Sequence, residues 1–172
     1  ATYSIWPMEA LETPLLETDR AIQQVTVNAP KRLLRLANVD LPSSRQRGRE
    51  GGARRRLGEM RALLRLGEDA PNDCILGDFS ELPDGPCSRL LEKAHYIDAA
   101  VKGRQGSRPS TLGGSRVDHI WLAARLGTQL RRYHSRASED LVTEAKGKTH
   151  LSDHLPIGVE LHWTAGATSE EA

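Results

Sequence analysis

The chain has 172 residues, which is enough for one domain with a sizeable core. Its 24 Lys and Arg against 23 Asp and Glu give a formal net charge of +1, which excludes a histone-like polyanion binder and an acidic tail protein. Two cysteines are too few for a disulfide scaffold, and no run approaches the about 20 apolar residues of a membrane helix, so we expect a soluble, intracellular protein.

Several segments show the alternation or the β-branched content typical of strands, which predicts a protein built on sheets. The link Ala29-Pro-Lys-Arg32 between the second and the third segment is typical of an antiparallel hairpin. Cys74 opens the fourth segment, where we expect a buried free thiol. The predicted strands are residues 2–6, 21–28, 33–41, 74–76, 116–122, 128–134 and 157–163.

Two segments follow the 3.6-residue period of an amphipathic helix. The first covers residues 54–66 and ends at a glycine, and the second covers residues 86–94 with Pro86 in its first turn. The segment 165–172 is small and polar, so we expect residues 1–164 to form the domain and the rest a flexible tail. Loops are predicted at residues 11–18, 42–53, 103–115 and 137–150.

A basic segment lies between Arg45 and Arg56, where six arginines accompany a single acid, Glu50. Guanidinium groups in such a segment would neutralise phosphate oxygens and make polyanion binding salt-dependent. We therefore predict Arg54 and Arg55 as substrate-binding residues. The alternative interpretation is a solvated, mobile loop, because runs of like charge usually stay disordered.

Asp78 comes directly after a predicted apolar strand and Gly77. A carboxylate at a strand end must meet a cation, a histidine or a hydrogen-bond donor to offset its desolvation. In that position it could bind a hard cation or take a proton from water. The alternative interpretation is that Asp78 only stabilises a turn.

Two more acidic segments follow along the chain, around Asp118 and Asp153. Alternation within the strand puts Asp118 and Ile120 on one face and His119 and Trp121 on the other. An acid that faces apolar neighbours needs a partner, and a histidine is a natural one. The alternative interpretation is a surface Asp on an edge strand.

Asp153 and His154 are neighbours at a predicted junction between a loop and a strand, which places an acid and an imidazole side by side. Oxygen ligands from Asp78 and Asp153 suit Mg²⁺ or Mn²⁺, so we predict these two as metal ligands. A zinc site that adds His150 is not favoured, because the sequence lacks a thiolate pair and a His-Glu-x-x-His motif.

Five segments, taken in chain order, resemble motifs of the endonuclease/exonuclease/phosphatase superfamily of metal-dependent phosphodiesterases. The family motifs are a strand ending in Ser-Arg-x-Pro, then Asn-Val-His-Leu-Pro, Gly-Asp-Phe-Asn-x-x-Pro, Arg-Ile-Asp-Tyr-Ile and Ser-Asp-His-x-Pro. The matching segments are Tyr3-Ser-Ile-Trp-Pro7, Leu36-Ala-Asn-Val-Asp-Leu-Pro42, Gly77-Asp-Phe-Ser-Glu-Leu-Pro83, Arg116-Val-Asp-His-Ile120 and Ser152-Asp-His-Leu-Pro156.

The resemblance implies an α+β fold in which a two-sheet β-sandwich is flanked by helices in four layers, α/β/β/α. It also implies hydrolysis of a phosphoester by an activated water with Mg²⁺ or Mn²⁺. By resemblance, Asp78 would position or deprotonate the water and His154 would contact the phosphate. Asp118 would hold the histidine in place, and Asp153 would assist the metal or that histidine.

The same resemblance identifies departures from the family pattern. Ser80 stands where the family has an Asn whose amide touches the phosphate, and Asp40 stands where the family often has His. Ser80 and Arg116 are then the substrate-binding positions carried by the motifs. The metal-binding glutamate of the family belongs to strands upstream of the first motif. The resemblance therefore implies that the N-terminal part of the fold is missing from this sequence, and we expect that missing segment or a protein partner to complete the fold.

The leading hypothesis is a divalent-metal-dependent phosphoester hydrolase that is weak or incomplete as this chain alone. The alternative is a catalytically degenerate family member that acts as a scaffold or binding subunit in a larger assembly. Ser80, Asp40 and the missing glutamate favour the alternative, whereas the intact acids and His154 favour the enzyme. A nucleic-acid binder without chemistry would leave the acidic segments unexplained.

Overall fold

The computed structural model describes residues 2–11, 22–30, 32–43, 48–137, 141–143 and 149–163. These residues form a six-stranded sheet, two smaller two-stranded sheets and three α-helices. The predicted α+β arrangement of packed sheets and helices is therefore confirmed. The strands are β1 (Met8–Ala10), β2 (Gln23–Ala29), β3 (Arg32–Asp40), β4 (Cys74–Asp78), β5 (Tyr96–Asp98), β6 (Asp118–Ala123), β7 (Leu130–Ser135), β8 (Val142–Thr143), β9 (Thr149–His150) and β10 (Ile157–Leu161); the helices are α1 (Gly48–Leu66), α2 (Pro86–Lys93) and α3 (Ala99–Lys102).

The large sheet has the order β1-β2-β3-β4-β6-β5, and only β3 and β4 in it are parallel. Parallel neighbours need a crossover, and α1 supplies it between β3 and β4. The register pairs Asp40 with Asp78 and Asp78 with Asp118. Three carboxylate-bearing residues therefore lie side by side across three strands, at the level where β3 and β4 end.

Apolar residues cover both faces of the large sheet, and a third, smaller apolar cluster lies on β2 and β3 around Val25 and Leu34. Helices α1 and α2 pack on one face around Trp121 and Cys87, and the β7–β10 sheet with α3 packs on the other around Ile120 and Cys74. The opposite placement of Ile120 and Trp121 confirms the alternation predicted for β6. Both thiols are free and buried, as predicted for Cys74, and burial raises the pKa of Cys74 to about 12.

Two sequence predictions are wrong near the ends of elements. Residues 2–6 do not form a strand, and Tyr3 and Ile5 are about nine-tenths exposed; pairing with β2 begins only at Met8. The first helix begins at Gly48 rather than at residue 54. Glycines cost a helix about 1 kcal/mol each, but the helix continues because Met60 and Leu63 anchor it in the core.

The other predicted strands and the second helix agree with the structure to within a few residues, but the predicted loop 137–150 contains the paired short strands β8 and β9. The hairpin closes with Ala29 opposite Arg32, as predicted. Strand β5 and helix α3 were not predicted, because three and four residues are too few to show a period. Among the described residues, no helix is long and apolar enough to cross a membrane. The predicted loop residues 12–18 and the tail 165–172 lie outside the described residues.

Candidate active site

Three of the predicted site residues come together where β4 ends and β6 begins. Asp78 is the last residue of β4, and Asp118, the first residue of β6, is its direct cross-strand partner. His154 reaches the same point from the segment that leads into β10. Ligand atoms of Asp78, Asp118 and His154 all lie within 4.8 Å of one another.

A short hydrogen bond joins the imidazole to one of these carboxylates. Nδ1 of His154 lies 2.8 Å from Oδ2 of Asp118. Partial burial lowers the pKa of His154, but the bond to Asp118 and the charges of Asp118, Asp78 and Asp153 outweigh it and raise that pKa above its usual value. The carboxylate therefore fixes the proton on Nδ1 and leaves Nε2 to face a ligand.

Asp78 occupies a tight turn at the end of its strand. Its Oδ1 accepts a hydrogen bond of 2.6 Å from the backbone N–H of Ser80, whose φ of 49° is left-handed. Burial raises the pKa of Asp78, as does the negative charge of Asp118, and these effects exceed the lowering by Ser80 and His154. A carboxylate with a raised pKa is a better proton acceptor near neutral pH than an ordinary aspartate.

Gly77 allows the strand end to reach this position. Its φ is +129°, and a Cβ at this residue would lie 2.0 Å from the carbonyl oxygen of Val39. The close approach at this glycine is therefore to the neighbouring strand β3.

Asp153 is exposed and lies beside the cluster rather than within it. Its backbone carbonyl accepts a hydrogen bond from Leu112 N–H at 2.9 Å, and its charge contributes to the raised pKa of His154. The group of three potential metal ligands includes Asp78 but not Asp153. Two carboxylates and one imidazole form a donor set that suits a divalent cation, and its oxygen content suits Mg²⁺ or Mn²⁺.

Comparison with known proteins gives relatives only at the level of structure. No family model matches the chain, and no curated protein matches it. An AP endonuclease from Archaeoglobus fulgidus superposes with a TM-score of 0.63 at 14% identity, over 84% of this chain and 66% of that one. A 3'-5' exonuclease, NExo, from Neisseria meningitidis superposes with a TM-score of 0.62 at 16% identity, over 92% of this chain and 72% of that one.

A third solved structure carries the family name itself. It is an endonuclease/exonuclease/phosphatase family protein from Leptotrichia buccalis, with a TM-score of 0.59 at 14% identity, over 94% of this chain. The chain has the fold of the endonuclease/exonuclease/phosphatase superfamily. It spans 62% of the length of the Leptotrichia protein and 66% of the Archaeoglobus protein, and at these identities the likeness establishes the fold alone.

The loop that follows Asp78 is held at two points. Glu81 Oε1 accepts hydrogen bonds from the N–H groups of Cys87 and Ser88 at the start of α2, at 2.8 and 3.0 Å. The Glu81 carbonyl faces Nε2 of His119 at 3.0 Å. Burial, with the charge of Arg116, lowers the pKa of His119, so the neutral ring donates from Nε2. Sequence reasoning missed both anchors, although a helix beginning at a proline is a signal to search for an upstream capping acid.

Arg116, predicted from the superfamily motif as a substrate contact, is buried instead in an ion pair. Its Nη2 and Nη1 donate to the two carboxylate oxygens of Asp98 at 2.6 and 3.1 Å. The side chains of Arg116 and Asp98 are only 4% and 7% exposed. The guanidinium therefore joins the segment before β6 to the end of β5 inside the protein. The sequence could not reveal this ion pair, because β5 is too short to recognise.

The described arginines of the basic segment differ in exposure. Arg54 is exposed and Arg55 half-buried on α1, so both keep the surface position that a substrate contact requires. Arg56 is buried, where Nη1 donates to the Pro42 carbonyl at 2.9 Å. A mobile loop is therefore the wrong interpretation for these three residues, because they belong to a helix; Arg45 and Arg47 lie outside the described residues.

A positively charged cleft of about 410 Å³ adjoins the segment that carries His154. Thr111 lines this cleft and forms an isolated β-bridge with His154, and Leu155 lines it as well. The sequence did not predict this cleft, because its basic residues lie far apart in the chain. Those basic residues are Arg108, Arg136 and His150.

Proposed function

We propose that this chain is a divalent-metal-dependent phosphoester hydrolase. The observation that carries the proposal is the convergence of Asp78, Asp118 and His154 to within 4.8 Å, in a fold that solved nucleases share. Asp78 and Asp118 would hold Mg²⁺ or Mn²⁺, with Asp153 close by. The bound cation would supply charge neutralisation for the phosphate oxygens.

The residues of the chain divide the reaction between them. A water oxygen attacks phosphorus, the bond to the leaving oxygen breaks, and Asp78 takes the proton of that water. His154, protonated on both ring nitrogens, donates a hydrogen bond from Nε2 to a phosphate oxygen as negative charge develops there. Asp118 accepts the hydrogen bond from Nδ1, orients the ring and stabilises its protonated form. Ser80 lies next to Asp78 and would offer only its hydroxyl where the superfamily motif has an amide.

A catalytically degenerate scaffold is the second candidate, favoured by one specific feature. Asp40 is in register with Asp78, so it adds a third acid to the row where the superfamily motif has a histidine. A carboxylate there repels phosphate unless a cation intervenes. Loss of one well-placed donor at a developing oxyanion costs about 100- to 1,000-fold in rate. Ser80 lacks the amide donor of the asparagine in the superfamily motif, so this position also favours weak activity.

The charged cleft supports a substrate that carries further phosphate groups beyond the one that is cleaved. Arg108 and Arg136 would bind such groups next to the scissile phosphate at His154. A nucleic acid strand fits this description, and the 3' phosphatase NExo from Neisseria was solved bound to a product DNA hairpin. Arg54 and Arg55 on α1 are further candidates for contacts to the same polyanion.

Hydrolysis of bis-p-nitrophenyl phosphate by the purified chain tests the first proposal. We expect turnover with Mg²⁺ or Mn²⁺, none with EDTA, and a loss of about 100-fold or more in Asp78→Ala and in His154→Ala. Asp69→Ala and His162→Ala, at exposed positions outside the cluster, are the matched controls. Wild-type turnover no higher than that of the two site variants would favour the scaffold.

Hydrolysis of a short DNA oligonucleotide tests the substrate proposal. Arg108→Ala and Arg136→Ala should raise KM for the oligonucleotide and reduce its salt dependence, with little change for the small diester, because only the longer substrate spans the cleft. Arg61→Ala, at an exposed position on α1, serves as the control. Equal effects on both substrates would contradict a separate contact in the cleft.

A further inference from the structure

Ser110 lies behind the Asp118–His154 pair, completely buried, and its hydroxyl is fully engaged. Its Oγ lies 2.7 Å from Oδ2 of Asp118, the same oxygen that faces His154. The same Oγ accepts hydrogen bonds from the backbone N–H groups of Val117 and Asp118, at 3.0 and 2.9 Å. Two donors thus occupy the acceptor sites of the hydroxyl, and its single proton is directed at the carboxylate.

The backbone of Ser110 also contacts the segment that carries His154 and the turn that leads into β6. Its carbonyl accepts a hydrogen bond from Leu155 N–H at 2.8 Å, and the next residue, Thr111, forms the isolated bridge with His154. Ser110 N–H donates to the Ser115 carbonyl at 2.9 Å, which closes the turn that leads into β6. One residue therefore contacts both the strand that carries Asp118 and the segment that carries His154.

We propose that Ser110 is a positioning residue that fixes the Asp118 carboxylate in the orientation in which it binds His154. An aspartate side chain rotates freely unless its oxygens are held, and Oδ2 of Asp118 is held by the hydroxyl on one side and the imidazole on the other. A second buried serine offers a contrast. Ser88 is also completely buried, but within the described part of the chain its Oγ has no hydrogen-bond partner.

The proposal is tested by the Nδ1–H resonance of His154 in metal-free protein, observed by ¹H NMR and assigned by its absence in His154→Gln. We expect a downfield, slowly exchanging proton in wild type, in Ser88→Ala and in Ser110→Thr, which keeps a hydroxyl. Ser110→Ala should lose this signal to exchange with water. Because this readout needs neither metal nor turnover, it stands even if the hydrolase proposal fails.

The kinetic consequence rests on the proposed function. In Ser110→Ala we expect kcat for the small diester to fall about 10- to 100-fold, as for other residues that orient an active group, with KM within about 2-fold of wild type, and Ser110→Thr should restore most of the loss. Ser110→Cys, which fills the space with a weak donor, replaces the alanine variant if that variant does not fold. Retention of the Nδ1–H signal in the folded alanine or cysteine variant would overturn the proposal, whether or not the protein hydrolyses the diester.

Discussion

Removing either partner of the Arg116–Asp98 pair should strongly destabilise the protein. The guanidinium and the carboxylate are 4% and 7% exposed and make two hydrogen bonds, at 2.6 and 3.1 Å. Truncating one member of such a pair leaves a buried charge uncompensated, which costs about 3–5 kcal/mol. Asp98→Ala also removes the cap of α3, where Oδ1 accepts from Ala100 N–H at 2.9 Å, and this adds about 1 kcal/mol.

Arg116→Ala should therefore lower the free energy of unfolding by about 3–5 kcal/mol and Asp98→Ala by about 4–6 kcal/mol, from the values for burial and capping above. Domains are stable by only about 5–15 kcal/mol, so the second variant would be close to unfolded. The double variant Asp98→Asn with Arg116→Met removes both charges and should lose less than either alanine variant, since no isolated charge stays buried.

Urea unfolding followed by far-UV circular dichroism measures these differences. Glu160→Ala is the matched control, because Glu160 lies 3.8 Å from His134 and the side chains of Glu160 and His134 are 54% and 44% exposed, and such pairs contribute about 1 kcal/mol at most. The reasoning is refuted if Arg116→Ala costs less than about 1 kcal/mol, the ceiling for an exposed pair. A raised KM at unchanged stability would instead restore Arg116 as a substrate contact.

Two further predictions concern the strand end and the imidazole. Gly77→Ala should lower the free energy of unfolding by at least about 1–3 kcal/mol, because φ is +129° and a Cβ would meet the Val39 carbonyl. Gly58→Ala is the control: its Cβ position has open space around it, so this variant should raise the free energy of unfolding by about 0.5–1 kcal/mol. Chemical unfolding measures both variants, and equal effects would contradict the assignment of strain to Gly77. The pKa of His154 is raised in the folded protein above the ordinary 6.5, so its contribution to stability is complete below the unfolded pKa and is lost as pH rises through the folded pKa. Urea midpoints across pH 5–9 should show this loss diminished in Asp118→Asn, and an identical pH dependence in both proteins would disprove the coupling.

The parts of the fold that were predictable are those with a local signal. Alternation in β6 put Ile120 and Trp121 on opposite faces, and the apolar run before Asp78 identified β4. The strand predicted at residues 2–6 failed because alternation alone does not supply a partner, and Tyr3 and Ile5 stay exposed. Helix α1 was predicted too short because the glycines and arginines of its first turns do not show the apolar period of a helix. Those turns are stabilised by the packing of residues further along the helix.

The candidate site was predictable only in its charged members. Asp78, Asp118 and His154 could be selected because acids next to apolar strands require partners. Ser110 and Asp98 gave no signal, since their roles depend on which strands become neighbours after folding. Asp153 stays a prediction as a metal ligand, and Arg116 shows how a motif residue can belong to a buried ion pair.

The two buried thiols offer a way to observe how the halves of this molecule open. Cys87, on α2, lies in the core between the helices and the large sheet, and Cys74, on β4, lies in the core between that sheet and the β7–β10 sheet. A disulfide reagent such as DTNB reacts only with a thiolate that has reached water. The labelling rate of each cysteine therefore measures how often the layer that covers it opens to solvent. Single-cysteine variants labelled under native conditions would reveal which side of the sheet detaches first.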